Sequence, residues 1–162
     1  MRGIWWEFHF SKFSPPLCLS ASLLLCVKNQ IMEPGLIQGG SYIDVRGAMR
    51  FCNDFDMSAV RRFYTIANSV EQPVRGWIAH KRETKWFFPL KGRTEILVES
   101  FNAEMQSGRG AEVFVLDAKN PSVLKVPPEN WFCIKQDGDS EIMVFSDCKV
   151  GEFENDDFRR SL

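Results

Sequence analysis

The stretch that decides the fold is Val74-Arg75-Gly76-Trp77-Ile78-Ala79-His80-Lys81, which is soon followed by Lys85-Trp86-Phe87-Phe88. Both segments are short and rich in apolar and aromatic residues, as β-strands are. His80 is the only histidine after His9, and it lies among cations. A single imidazole beside cations is poorly suited to bind a metal. It is suited to move a proton next to a carbonyl group whose oxyanion the cations stabilise.

Outward from this stretch, short apolar segments alternate with turn-forming residues along the body of the chain. Strands are predicted at 41–45, 48–52, 60–67, 74–80, 85–90, 94–101, 111–117, 122–126, 131–134 and 141–148. One helical turn is expected at 57–61, capped by Asp56, and either a short helix or an extended tail at 152–160. Many short strands at this spacing predict an all-β sandwich or small barrel in a single domain.

Two of these strands are apolar on both faces, at Trp86-Phe87-Phe88 and at Val113-Phe114-Val115-Leu116. A sheet with one face in water alternates more strictly between apolar and polar residues. The outer face of one sheet is therefore expected to be covered, most simply by a second copy of the chain.

Composition restricts the class of protein. The length of 162 residues fits one domain, and a net charge of −1 argues against nucleic acid as the main partner. The five cysteines are odd in number and form no CxxC pair, so neither a disulfide framework nor a zinc site is indicated. Reduced thiols are typical of a cytoplasmic protein.

Residues 1–31 differ from the body, with aromatic residues followed by an apolar run at 17–27. This run is too short to span a bilayer as a helix, and no membrane association is expected. A signal peptide is one interpretation, because Arg2 and Lys12 precede an apolar region of suitable length. The favoured interpretation is an extension, from a start codon assigned too early, before a domain that occupies 32–162.

Several segments, taken in order, carry a resemblance. They are Asp44-Val45-Arg46-Gly47, then 60–66, then Arg75-Gly76-Trp77-Ile78-Ala79-His80-Lys81, then 124–128 with Trp131, and finally 141–147 with 155–159. This series resembles the sugar-nucleotide 3,4-ketoisomerases, which are cupins grouped with dTDP-4-dehydrorhamnose 3,5-epimerase and the WxcM-like sugar epimerases. The resemblance implies a cupin jelly roll (a double-stranded β-helix), a homodimer, no metal, no cofactor and a nucleotide-linked 4-keto-6-deoxy sugar as substrate.

One departure from the family pattern bears on function. The family has H-A-H where this chain has Ile78-Ala79-His80, so the first histidine is missing. The positions of metal-binding cupin ligands hold Ile78, His80, Lys85 and approximately Phe132, and one ligand of four cannot hold a divalent ion. The base of the epimerases also lies at the position of Ile78. A catalytically degenerate cupin that binds a sugar nucleotide without turnover is therefore the alternative function.

With the resemblance, His80 is predicted to be the general base or acid, and Lys85 and Arg75 to stabilise an enolate. Tyr64 is a candidate proton donor, with an edge aromatic in water as the alternative. Simple strand alternation places Arg75 on the face opposite to His80. A bulge at Gly76 would correct this parity.

Substrate binding is predicted at four further residues, Arg46, Arg62, Trp77 and Trp131. An arginine can contact a diphosphate with two hydrogen bonds, and a tryptophan can stack on a base or sugar. The structural alternatives are solvated arginines and core tryptophans, while Asp156 and Asp157 are expected in a solvated tail. The predicted reaction is the isomerisation or epimerisation of a dTDP-linked 4-keto-6-deoxyhexose through an enediolate, during the synthesis of a surface polysaccharide.

Overall fold

The structure is a computed structural model that describes residues 33–101 and 110–162. The segment 1–31, which we interpret as an extension or as a signal peptide, lies outside the described residues. Within them, no helix is long and apolar enough to cross a membrane. The strands are β1 (Gly35–Gln38), β2 (Gly40–Asp44), β3 (Gly47–Phe51), β4 (Arg62–Ile66), β5 (Val74–His80), β6 (Lys85–Lys91), β7 (Arg93–Ser100), β8 (Glu112–Asp117), β9 (Ser122–Val126), β10 (Asn130–Gln136), β11 (Glu141–Ser146) and β12 (Phe158–Arg160).

Most of the strands form two antiparallel five-stranded sheets. Sheet A has the order β1-β9-β6-β11-β4, sheet B has the order β12-β5-β10-β7-β8, and β2 and β3 form a separate hairpin. From β4 to β7, and again from β8 to β11, consecutive strands alternate between the two sheets. This winding confirms the predicted double-stranded β-helix, or jelly roll.

The main core lies between the inner faces of the two sheets. Because strand side chains alternate, every second residue points inward from each sheet. Fully buried examples are Phe87, Leu124, Ile142 and Val144 from sheet A, with Ile96, Leu116 and Ile134 from sheet B. Each such side chain contributes about 1.5–3 kcal/mol to folding. This core forms the floor of the cavity described below.

A second apolar cluster, on the outer face of sheet A, explains why β6 is apolar on both faces. The chain's own segment between β3 and β4 covers this face, with the Phe55 ring centroid 5.9 Å from Trp86 and 5.4 Å from Phe145. The second copy that we predicted as a cover is therefore not needed for β6. The valines of β8 that point outward, Val113 and Val115, remain exposed.

The substitution Phe55→Ala is expected to lower the free energy of unfolding by about 2–3 kcal/mol, because it uncovers Trp86 and Phe145. Urea denaturation would measure the loss. Phe63→Ala is the matched control, since Phe63 is 66% exposed and its removal should cost less than about 0.5 kcal/mol. Equal losses in the two variants would show that Phe55 does not seal this face.

The structure corrects one local prediction and decides between the two alternatives left for another. The segment 57–61 is a turn rather than a helical turn, closed by the Val60 N–H donating to the Met57 carbonyl at 2.9 Å. Asp56 does cap it, by accepting the Ser58 N–H at 2.8 Å. No helix forms at 152–160, where the last residues instead pair with β5 as β12.

Candidate active site

A cavity of about 320 Å³ lies between the two sheets and is lined by β4, β5, β6, β10 and the segment that follows β11. The structure brings together several of the predicted site residues here. Lining residues from that set are His80, Lys85, Arg75, Tyr64 and Arg62. The apolar floor includes Ile66, Phe87, Phe132 and Ile134.

An irregularity in β5 places both Arg75 and His80 at the cavity. In the pairing with β10, Ile78 lies opposite Phe132 and Arg75 lies opposite Ile134, with a register shift between these pairs. Two residues of β5 therefore face the single residue Cys133, which is the arrangement of a β-bulge. The bulge at Gly76 predicted from the parity problem is confirmed.

Lys85 on β6 and Tyr64 on β4 come from the two strands that pair with β11 in sheet A. Lys85 begins β6 and shares its inward face with Phe87, so its side chain is only 5% exposed. Its Nζ donates to the Tyr64 hydroxyl at 3.3 Å, and the Arg62 guanidinium carbon lies 5.2 Å from the centroid of the Tyr64 ring. The phenol is therefore held between two cations.

Glu83 binds these cations, and sequence reasoning did not include it among the site residues. It lies between β5 and β6 and is 8% exposed. Its Oε1 accepts hydrogen bonds from Lys85 Nζ at 2.7 Å, Arg62 Nη2 at 2.9 Å and Ser146 Oγ at 2.6 Å. A buried carboxylate with this many donors stays ionised and holds the two cations in fixed positions.

His80 lies beside this network and has two different ring nitrogens. Nδ1 is 2.8 Å from the main-chain carbonyl oxygen of Asp156 and 3.4 Å from Glu83 Oε2. Nε2 is buried, and no residue in the described part of the chain offers it a hydrogen bond. The ring therefore has one nitrogen in contact with a main-chain carbonyl and one buried nitrogen without a hydrogen-bond partner among the described residues.

The environment keeps this imidazole neutral. Burial lowers the pKa of His80, and the positive charge of Lys85 lowers it further, while Glu83 and the Asp156 carbonyl oppose the shift without reversing it. Burial also raises the pKa of Glu83, but hydrogen bonds from Lys85 and Ser146 and the charge of Lys85 lower it below its usual value. The 3.4 Å approach of Glu83 Oε2 to His80 Nδ1 is therefore a polar contact with a neutral ring rather than an ion pair at pH 7.

The tail that precedes β12 closes one side of the cavity. Asp156 is buried, so the prediction that it belongs to a solvated tail is wrong, because its carboxylate accepts main-chain N–H groups of the turn after β5. Asp157 is exposed and pairs with Arg159 at 2.8 Å. The tail thus contributes directly to the surroundings of His80.

Three predicted binding residues do not line the cavity. Arg46 is exposed in the turn between β2 and β3, where it pairs with Asp44 at 2.5 Å. Trp77 and Trp131 flank the guanidinium of Arg160, whose carbon is 4.4 Å and 4.9 Å from their ring centroids. Their part in substrate binding stays a prediction that this cavity does not support.

The described residues include no group of three or more His, Cys, Asp or Glu side chains placed to hold a metal ion. The lining of the cavity instead combines one imidazole with cations and several carboxylates, of which Glu83 is paired with Lys85 and Arg62.

Sequence comparison supplies the family. The profile of the family described as FdtA, WxcM-like, C-terminal, matches residues 35–162, which is nearly all of the jelly roll. The chain belongs to the WxcM-like family. No curated protein matches its sequence significantly.

Solved structures share the fold of this WxcM-like protein at low sequence identity. A 3,4-ketoisomerase from Helicobacter canadensis is 19% identical with a TM-score of 0.61, covering 80% of this chain and 92% of its own. A mutant 3,4-ketoisomerase from Thermoanaerobacterium thermosaccharolyticum, in complex with TDP-4-keto-6-deoxyglucose, is 18% identical with a TM-score of 0.60, covering 78% and 87%. An epimerase from Mycobacterium tuberculosis is 15% identical with a TM-score of 0.59, covering 78% and 68%. These likenesses show the cupin jelly roll.

Proposed function

We propose that this protein is a metal-free isomerase or epimerase of a dTDP-linked 4-keto-6-deoxyhexose. The observation that carries the proposal is the buried, neutral His80 in a cavity that also holds Lys85, Tyr64 and Arg62. Two 3,4-ketoisomerases and an epimerase share the fold, and one of the ketoisomerases was solved in complex with TDP-4-keto-6-deoxyglucose. That ligand class supports the choice of substrate.

In the proposed reaction, Nε2 of His80 removes a proton from the carbon next to the ketone. The electron pair moves onto the carbonyl oxygen and forms an enediolate, which Lys85 and Tyr64 stabilise by donating hydrogen bonds. For isomerisation, the imidazolium returns the proton to the former carbonyl carbon while the hydroxyl proton of the neighbouring carbon passes to the former carbonyl oxygen, so the ketone moves by one carbon. For epimerisation, the starting carbon is instead protonated on its opposite face by Tyr64, and the tyrosinate regains a proton that the imidazolium releases. Electrons are only redistributed within the sugar, so the step needs no oxidant, reductant or cofactor.

Among the described residues, three arginines line the cavity, and Arg62 and Arg75 are assigned different roles. Arg62 is held by Glu83 and by the main-chain carbonyl of Cys148 at 2.9 Å, so we assign it to keeping the network rigid. Arg75 is exposed, and among the described residues its guanidinium contacts Asn68, at 3.5 Å, so most of its donors face solvent. We assign Arg75 to the substrate diphosphate, since guanidinium groups bind such oxygens with paired hydrogen bonds.

We also infer a cytoplasmic homodimer that acts in the synthesis of a surface polysaccharide. In the described part of the chain, the β2–β3 hairpin pairs with strands of neither five-stranded sheet, and its Tyr42 and Ile43 are 56% and 75% exposed. We assign these exposed apolar side chains to the contact between the two copies. Light scattering on the purified chain would determine the number of copies.

The experiment is to incubate the protein with dTDP-4-keto-6-deoxyglucose and follow the sugar by proton NMR. We expect a 3-keto isomer or a C3 or C5 epimer to accumulate. Tryptophan fluorescence measured during titration with dTDP would report binding separately. Binding of dTDP without any change in the sugar would contradict the enzyme proposal.

The replacement of the family's first histidine by Ile78 favours one alternative function. In that alternative, the protein binds a sugar nucleotide without turnover, as a binding or scaffolding module. Ile78 packs against the main core and lines the cavity, so it supplies no second acid or base there. The incubation just described decides between the two functions.

The pH dependence of the reaction follows from the environment of His80. The base is active when neutral, and its pKa in the folded protein lies below the ordinary 6.5. We therefore expect kcat/KM to stay constant down to about pH 6.5 and to fall only at lower pH. Rate measurements between about pH 5 and pH 8 would locate the pH at which kcat/KM begins to fall. A fall that begins above about pH 6.5 would contradict the assignment of His80 as the base.

The same shift has a consequence for stability. As the pH falls below 6.5, His80 becomes protonated in the unfolded chain at a higher pH than in the folded protein. The contribution of His80 to the free energy of unfolding is therefore complete above that pH and is lost as the pH falls toward the lower folded pKa.

A further inference from the structure

Asp156 contacts both the turn after β5 and the ring of His80, although it lies far from both in sequence. Its side chain is buried, at 9% exposure. Oδ1 accepts the N–H of Lys81 at 2.9 Å, and Oδ2 accepts the N–H groups of Arg82 at 3.2 Å and Glu83 at 3.3 Å. Three main-chain donors on one carboxylate fix residue 156 against the turn that carries Glu83.

The main chain of Asp156 makes the second contact. Its carbonyl oxygen lies 2.8 Å from Nδ1 of His80. A carbonyl oxygen can only accept a hydrogen bond, so Nδ1 must carry the proton. In a neutral imidazole the lone pair is then on Nε2, which is the nitrogen without a described partner.

The chain on either side of Asp156 fits this placement. Asn155 has a φ of 58°, in the left-handed region that asparagine tolerates better than most residues. After Asp156, Phe158 pairs with Ala79 and Arg159 with Ile78, on the same strand that ends with His80. The pairing of β12 with β5 therefore places Asp156 beside the end of β5, where His80 lies.

We propose that Asp156 is a positioning residue that holds His80 in the tautomer with the proton on Nδ1 and the lone pair on Nε2. Its carboxylate fixes the main chain, and its carbonyl then selects the tautomer. The catalytic meaning of this arrangement rests on the proposed function. The tautomer itself is a property of the free protein, so it can be measured without any substrate.

The test is NMR of the full chain labelled with ¹⁵N in histidine, at a pH where the ring is neutral. The chain has two histidines, His9 and His80. The signals that disappear in His80→Gln therefore belong to His80, and those that remain belong to His9. We expect wild-type His80 to show a protonated Nδ1 and an unprotonated Nε2. In Asp156→Ala we expect a mixture of the two tautomers, and in Asp156→Asn, which keeps one acceptor oxygen, a partial change.

Glu154→Gln is the matched control, since Glu154 is exposed in the same tail and does not line the cavity. It should leave the His80 signals unchanged. A wild-type ring protonated mainly on Nε2 would overturn the proposal. So would wild-type tautomer populations in folded Asp156→Ala, or in Asp156→Asn if the alanine variant does not fold.

The kinetic readout separates this proposal from the proposed function. If the protein turns over the ketosugar, Asp156→Asn should lower kcat by about tenfold with little change in KM, because the base is misaligned rather than the substrate unbound. If no turnover is found in the wild type, the NMR result still decides the role of Asp156.

Discussion

His80→Gln should lower the turnover of the ketosugar by at least about 100-fold, because it removes the general base of the proposed reaction. The glutamine amide can still donate a hydrogen bond to the Asp156 carbonyl, so the fold around the cavity should be retained. Binding of dTDP should change little, since His80 is assigned to proton transfer rather than to the diphosphate. The measurement is kcat by proton NMR together with the Kd for dTDP by fluorescence.

His9→Gln is the matched control for this substitution. His9 is the only other histidine, and it belongs to the segment predicted to lie outside the domain, so turnover should be unchanged. Turnover in His80→Gln within a few-fold of the wild type would place the base elsewhere. Tyr64 would then be the next candidate, since its hydroxyl is 3.3 Å from Lys85 Nζ.

The second large effect is expected for stability, in Glu83→Gln. Glu83 and Lys85 are buried together at 2.7 Å, and the same carboxylate oxygen also binds Arg62. Removing one partner of a buried ion pair leaves an uncompensated charge, which costs about 3–5 kcal/mol. Urea denaturation should therefore show a loss of this size for Glu83→Gln.

The double variant Glu83→Gln/Lys85→Met tests the cause of that loss. Removing the buried cation as well should restore part of the stability, so the double variant should lose less than the sum of its single variants. Glu95→Gln is the surface control, because Glu95 pairs with exposed Lys135 at 3.2 Å and such pairs contribute less than about 1 kcal/mol. A loss for Glu83→Gln as small as that of the control would contradict the network.

Strand alternation was sufficient to predict much of the fold and the central side chain. The apolar periodicity located most of the strands, and the parity conflict between Arg75 and His80 predicted the bulge that the pairing of β5 with β10 contains. These features depend on local sequence, where the two-residue period applies. Trp77 and Trp131 are half-buried and flank Arg160, so they belong neither to the cavity nor to the core, which is the alternative interpretation.

Glu83 and Asp156 could not be placed in the same way. Glu83 lies in the turn between β5 and β6, where strand alternation does not predict which way a side chain points. Asp156 reaches its partners across more than seventy residues, from an acidic tail whose composition is typical of a solvated segment. Two buried carboxylates near a lone histidine become visible only when the jelly roll brings the tail beside β5.

The most direct test of the central claim is deuterium uptake from solvent during incubation of dTDP-4-keto-6-deoxyglucose with the wild type and with His80→Gln. We predict that the wild type places deuterium on a carbon next to the ketone, because the His80 proton exchanges with water, and that the variant loses this uptake. Uptake at the same rate in both proteins would contradict the claim that His80 moves the proton.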